Sequence, residues 1–246
     1  MLIDFHTHAF PEKIAPRAMA NLSHAAGGLR PQTEGTVQSL KAEMERDGVD
    51  LSVVLSIATN PRQQTKVNDF AIEMNHQENL IAFGSIHPDA PDALEELERI
   101  ADAGLKGVKL HPEYQGFFVD DEKMKPIYKK ISALGLLTLF HAGTDIGFPP
   151  PYHATPEHLA RALRWFDAPV VAAHWGGAGC GPEVVDTLCG KDLYFDLSFG
   201  YGVISKPVAQ RIIDSHGCDK LLFGSDMPWH RPEWELRLIN SLDISH

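Results

Sequence analysis

A chain of 246 residues is long enough to bury one large core, so a single domain over 1–246 is the expectation. With 43% apolar and 22% charged residues it is not a disordered or low-complexity chain, and a formal charge of −11 without a Lys/Arg cluster argues against nucleic acid as a partner. Cys180, Cys189 and Cys218 are too few and too scattered for a disulfide framework or a Cys-rich zinc site, and no leader or membrane-span pattern opens the chain, so the cytoplasm is the expected address.

The first element is the apolar run Leu2 to Phe5, continued by "DFHTH". Alternate residues of a strand project to one side, so His6 and His8 reach into one site, and Asp4 shares their face as a candidate to orient an imidazole. Ala9 to Pro31 carries Pro11, Pro16, Gly27, Gly28 and Pro31 and is longer than an ordinary strand-to-helix connection. It reads as an active-site insertion (9–31) and the candidate lid.

Apolar runs follow at Leu51 to Ile57 and Leu80 to Ile86, the latter ending in His87, which a hydrogen-bonding core role explains well enough. Asp89 to Ala103 reads as a helix with Leu94, Leu97 and Ile100 on one face, stopped at Gly104. The run Leu105 to Leu110 ends in "GVKLHP", offering Lys109 and His111. Asp120-Asp121-Glu122 marks a helix start, where the macrodipole favours acid, and Gly135 a stop. Gly135 to Phe140 runs into "FHAG" with His141, and Pro169 to Ala173 into "AAHWGG" with His174. Leu193 to Leu197 carries Asp196. After the stop at Gly217, Leu221 to Phe223 runs into "FGSDMPW" with Asp226.

Eight short apolar runs alternating with helical stretches predict a parallel sheet closed as an α/β (β/α)8 TIM barrel. A doubly wound open sheet is the alternative, but no G-x-G-x-x-G follows an early strand. In a parallel barrel every carboxyl end points to one face. His6, His8, His87, Lys109, His111, His141, His174, Asp196 and Asp226 are therefore expected to converge there, and imidazole with carboxylate is the donor set of zinc and similar divalent ions.

Together, "DFHTH", "GVKLHP", "FHAG", "AAHWGG" and "FGSDMPW" resemble the amidohydrolase superfamily, and within it the metal-dependent hydrolases and decarboxylases related to aminocarboxymuconate semialdehyde decarboxylase. The resemblance implies His6, His8, His141 and Asp226 as metal ligands. It makes His174 a second-metal ligand or a group that assists the substrate. One Zn2+ is the implied cofactor, with a binuclear site, Mn2+ or Fe2+ as variants, and with Lys109 or His111 on the metal or on the substrate.

The implied reaction is hydrolysis. A zinc-activated water, deprotonated by Asp226, attacks an amide, lactone or ester carbonyl of a small, carboxylate-bearing substrate, and His174 stabilises the oxyanion. Lys109 or Arg17 is the candidate clamp for the substrate carboxylate, and Tyr114, Phe117, Trp175 and Trp229 are candidate walls. Decarboxylation of an unsaturated or aromatic acid is the alternative. A phosphoesterase is disfavoured because Met227-Pro228-Trp229-His230 breaks the late D-x-H spacing it needs, and a non-catalytic metal- or ligand-binding barrel would need fewer convergent groups. A homodimer, the commonest assembly, is left open.

Overall fold

The computed structural model describes residues 1–244. Strands β1 (Ile3–Thr7), β2 (Leu51–Leu55) and β3 (Leu80–Phe83) pair in that order. So do β4 (Gly107–Leu110), β5 (Leu137–Phe140), β6 (Val170–Ala172), β7 (Tyr194–Asp196) and β8 (Leu221–Leu222), and all the pairings are parallel. The two arcs join at both edges. Beyond β3, Gly84 bridges Val108, and Lys109 N donates to Gly84 O at 2.8 Å. At the other seam Phe5 N donates to Phe223 O at 2.8 Å and Asp226 N to His6 O at 2.7 Å. The ring of eight is therefore closed, and all eight expected apolar runs contribute a strand.

Ten helices accompany the strands among the described residues: α1 (Ala15–Ala25), α2 (Val37–Asp47), α3 (Gln64–Asn75), α4 (Ala93–Asp102), α5 (Pro112–Gln115), α6 (Lys125–Ala133), α7 (Pro156–Ala162), α8 (Gly181–Thr187), α9 (Lys206–His216) and α10 (Pro232–Ile239). Local chemistry starts and stops them. Thr36 and Thr155 accept from the backbone N–H of Ser39 and His158 as caps, and proline opens α5 to α10 where its missing N–H costs nothing. Gly104 and Gly135 follow α4 and α6 with φ of +87° and +66°. The acidic stretch from Asp120 leads into a 3-10 turn (Glu122–Met124) that runs on into α6.

Two expectations need correction. Leu97 and Ile100 are fully buried, but Leu94 is 40% exposed. At about 100° per residue, six positions leave Leu94 and Ile100 roughly 120° apart, too far for one narrow face. Asp4 does not share the face of His6 and His8. It pairs with Ser52, whereas Thr7 pairs with Val54, so three residues of β1 advance against two of β2. This bulge inverts the alternation between Asp4 and His6.

Residues 9–31 do form an excursion, but its centre is the helix α1, of which only Ala15 and Met19 are buried. Its ends are tied together, since Phe10 N donates to Gly35 O at 2.8 Å and Phe10 bridges Thr36. The apolar core lies in two zones. Val53, Leu55, Phe83, Leu139, Val171 and Ala173 form the smaller cluster. The larger runs through β2 to β7 and the helices packed against them.

Above β5, Gly143 has φ +84° and hydrogen-bonds to Ala154 O at 2.8 Å, and an added Cβ would lie 2.4 Å from both N and O of Ala178. Neither the backbone conformation nor the space admits a side chain. Gly143→Ala should therefore lose about 2–4 kcal/mol of stability, read as a lower urea midpoint.

Candidate active site

His6, His8, Lys109, His111, His141, His174 and Asp226 all line one cavity at the carboxyl ends of the strands. Lys109 Nζ lies 3.4 Å from His6 Nε2 and its side chain is almost wholly buried, which pushes its pKa down to about 8 against the pull of Asp196 and Asp226.

The hydrogen-bond partners fix the tautomer of each imidazole. His6 Nδ1 lies 2.9 Å from Asp196 Oδ2, and a carboxylate can only accept, so the proton is on Nδ1 and Nε2 carries a lone pair. His8 Nδ1 lies 2.9 Å from Leu55 O, which leaves its Nε2 bare by the same reasoning. Yet the two Nε2 atoms lie 3.2 Å apart, with Asp226 Oδ1 at 3.4 Å from His6 and 3.2 Å from His8. Lys109 Nζ offers one N–H to His6 Nε2 from 3.4 Å, but between His6 Nε2, His8 Nε2 and Asp226 Oδ1 there is no proton to share, an arrangement that a cation held by all three reconciles.

A second pair repeats the pattern. His141 Nε2 lies 3.2 Å from Thr144 O and so carries the proton. His174 Nδ1 donates to Ser198 Oγ at 2.9 Å, because the serine hydroxyl gives its own proton to Asp196. The remaining lone pairs, on His141 Nδ1 and His174 Nε2, lie 3.1 Å apart. His6, His174 and Asp226 each also offer a donor atom within 4.8 Å of the others. The donor set and its bare lone pairs fit a divalent metal.

Burial supports this state of the rings. Desolvation lowers His6 and His174 well below the ordinary imidazole value, aided by neighbouring rings and Lys109. It brings His141 down to about 4 and His111 to about 3. These rings are neutral at pH 7 and ready to donate lone pairs.

His111 has a different task. Its Nδ1 accepts from Tyr114 N at 3.4 Å, so Nε2 carries the proton and faces Asp145 Oδ2 at 3.4 Å. The cluster of His111, His141 and Asp145 also has metal-binding spacing, but there donors face acceptors and no cation is required. His111 and His141 stack at 4.1 Å with 12° between their planes.

Of the expected walls, Tyr114 and Trp229 line the cavity and Phe117 and Trp175 do not. Gly116, left-handed at φ +66°, turns the chain after α5 and delivers Phe117, 1% exposed, into the main core. His174 and Trp175 are consecutive left-handed residues (φ +58° and +60°), and Trp175 seats its indole against Gly200, where a Cβ would lie 2.2 Å from Nε1. Of the two candidate clamps for a substrate carboxylate, Lys109 lines the cavity with Nζ beside His6, whereas Arg17 is exposed and outside it. His87 also stays out, its Nδ1 accepting from Asp89 N at 3.2 Å.

Asp4 braces backbone instead of an imidazole. It accepts from Ser225 Oγ at 2.6 Å, Ser225 N at 2.9 Å and His6 N at 3.2 Å, and burial raises its pKa to about 7 despite these bonds. Asp145, Ser198 and Phe199 were not anticipated from the sequence. The signal for Asp145 was its place in "HAGTD", four residues beyond a strand-end histidine. Leu22, Ala26 and Leu29 bring the 9–31 segment over the cavity.

The sequence matches the amidohydrolase family over residues 3–245, and the chain belongs to that family and is an enzyme. Among solved structures it is similar to an uncharacterized TIM-barrel protein from Bordetella bronchiseptica, with 20% identity and a TM-score of 0.79 over 99% of this chain and 92% of that one. It is also similar to 2,6-dihydroxybenzoate decarboxylase from Rhizobium, with 16% identity and a TM-score of 0.72 over 100% and 94% of the two chains. A third is a probable 2-pyrone-4,6-dicarboxylic acid hydrolase from Acinetobacter baumannii, with 18% identity and a TM-score of 0.65 over 98% and 91%. At these identities the likeness is one of fold. A search of the curated proteins finds no match. Among the described residues no helix is long and apolar enough to cross a membrane.

Two outcomes follow from the tautomer argument. Asp196→Asn, which frees the His6 ring, should weaken zinc binding roughly 10- to 100-fold in a chelator competition titration. Because His111 and His141 are lowered to about 3 and about 4 when folded, the unfolded chain binds more protons below the ordinary value of 6.5. The metal-free protein should accordingly lose stability as pH falls from 6.5 towards 4, seen as a falling melting temperature.

Proposed function

We propose that this amidohydrolase hydrolyses an amide, lactone or ester bond of a small molecule held in the cavity. A divalent metal, in the simplest case one zinc, would be held by His6, His8 and Asp226 with His141 or His174 beside them. The observation that carries the reading is the meeting of three lone pairs at His6, His8 and Asp226 Oδ1. When bound, the ion supplies Lewis acidity, bringing water's pKa towards roughly 7 and polarising a carbonyl.

The chain's own groups do the rest. Asp226 turns Oδ1 towards the two imidazoles, and among the described residues nothing hydrogen-bonds to Oδ2. That oxygen accepts a proton from the attacking water and returns it to the leaving group. Lys109, buried against His6, places positive charge beside the negative charge that develops on the carbonyl oxygen. His174 is assigned to holding the ion, not to donating to the oxyanion: its one proton is on Nδ1 and is donated to Ser198 Oγ, and its Nε2 has none to give. Tyr114 and Trp229 wall the substrate and exclude water.

Decarboxylation of an aromatic or unsaturated acid is the second reading. Tyr114, Phe199 and Trp229 around the cavity favour it, because flat rings receive a flat acid well. The fold likeness to 2,6-dihydroxybenzoate decarboxylase is in keeping with it.

Zinc-loaded enzyme offered esters, lactones, amides and aromatic acids in 18O-labelled water separates the two. Label in the carboxylic acid product is expected, whereas carbon dioxide release without label would replace hydrolysis with decarboxylation. In the hydrolytic case Asp226→Asn should lower kcat by about 10²- to 10⁴-fold.

A further inference from the structure

Asp145 stands outside the groups the proposed reaction uses. It lines the same cavity, with its side chain 13% exposed. Gly147 N holds Oδ1 at 2.7 Å, while Oδ2 faces His111 Nε2 at 3.4 Å and His141 Nε2 at 3.7 Å. The Gly147 amide and the His111 imidazole N–H thus hold the carboxylate in place, the His141 ring stands beside it with its proton given to Thr144 O, and among the described residues no Lys or Arg pairs with it.

The charges around the cavity make this unusual. Besides histidines, the charged lining residues are Lys109, Asp145 and Asp226, and no arginine is among them. Lys109 is turned to His6, and Asp226 to the same imidazole and His8. Asp145 is left as a fixed negative group, largely removed from water and without a cation of its own. Such a group carries a desolvation cost that a ligand's positive charge offsets. The cavity lining also carries apolar residues, Leu22, Leu29 and Ile146 among them, which lower the polarity of the space a charge would enter. The formal charge of −11 raises the local concentration of cationic ligands further.

We propose that Asp145 is the specificity-determining residue of this cavity and that it receives a protonated amine on the substrate. This rests on the reading of the cavity as the active site and gives it a substrate class: a small molecule with its reacting carbonyl or carboxyl at the His6, His8 and Asp226 end and an ammonium group at Asp145. A second carboxylate at the Asp145 end would meet repulsion and no clamp.

Binding of benzylamine and of its neutral isostere benzyl alcohol to the zinc-loaded enzyme tests this at pH 7, by calorimetry and without turnover. The wild type should bind benzylamine about tenfold more tightly than benzyl alcohol. Asp145→Asn should erase that preference and leave benzyl alcohol binding unchanged, which also certifies an intact cavity. Equal affinities in the wild type, or a preference that survives in Asp145→Asn, would overturn the assignment. The latter would place the amine elsewhere, for example on the metal. If Asp145→Asn does not fold, Asp145→Ser takes its place in the same two titrations and is read by the same outcomes. An enzyme that prefers benzylamine but shows no label incorporation with any ester, lactone or amide loses the hydrolytic reading and keeps the Asp145 assignment.

Discussion

Asp196 never reaches the cavity, yet the cavity is aimed by it. Wholly buried at the end of β7, it accepts from the ring of His6 at 2.9 Å, from the backbone N–H of His174 at 3.1 Å and from that of Ser198 at 3.2 Å. One carboxylate thereby fixes a ring on β1, the turn after β6 and the turn after its own strand. The Ser198 hydroxyl, itself held by Asp196, passes the same instruction to the ring of His174. A lone pair on a donor nitrogen is useful only if the opposite nitrogen keeps its proton, and this buried network sets both.

Burial and charge work together around that network. His6, His111, His141, His174 and Lys109 at one end of a barrel would repel one another if all were charged, and desolvation removes the charge of these four rings. The polar interior stays affordable because its groups are paired. Gln115 illustrates this, donating to Ala58 O and Ile86 O while accepting from His111 N, so that one amide joins the ends of β2, β3 and β4. Asp4 does the same across the seam between β1 and β8. The rigidity that holds the candidate ligands in place comes from such bonds just beneath the site.

The barrel was legible because two-sided burial forces short apolar runs, and each run is visible without knowing its neighbours. The strand ends were legible for the same reason, which is why His6, His8, Lys109, His111, His141, His174 and Asp226 could be named as one face and are found around one cavity. What alternation alone does not disclose is a change of register. The bulge in β1 took Asp4 off the histidine face through its pairing with β2, a nonlocal fact. Loops were the other gap. Phe117 and Trp175 were placed by left-handed turns that send their rings into the core, and Asp145 lies in a loop whose course depends on contacts with Ala154 and Ala178. The 9–31 segment looked irregular because its prolines and glycines sit near its ends, and they flank the helix instead of breaking it.

The tie between Phe10 and the Gly35–Thr36 pair gives that segment a particular standing. A stretch of chain whose two ends are one hydrogen bond apart behaves as an interchangeable cassette: it can lengthen, shorten or be replaced while the strand before it and the helix after it keep their positions. Here the cassette contributes Leu22, Ala26 and Leu29 to the roof of the cavity and nothing to the network of Asp196. The chemistry of the floor and the shape of the roof are therefore separately inheritable: Gln32, whose backbone N donates to Pro228 O at 2.6 Å, anchors the segment to the turn after β8, and Leu22, Ala26 and Leu29 can be rewritten without touching the hydrogen bonds of Asp196.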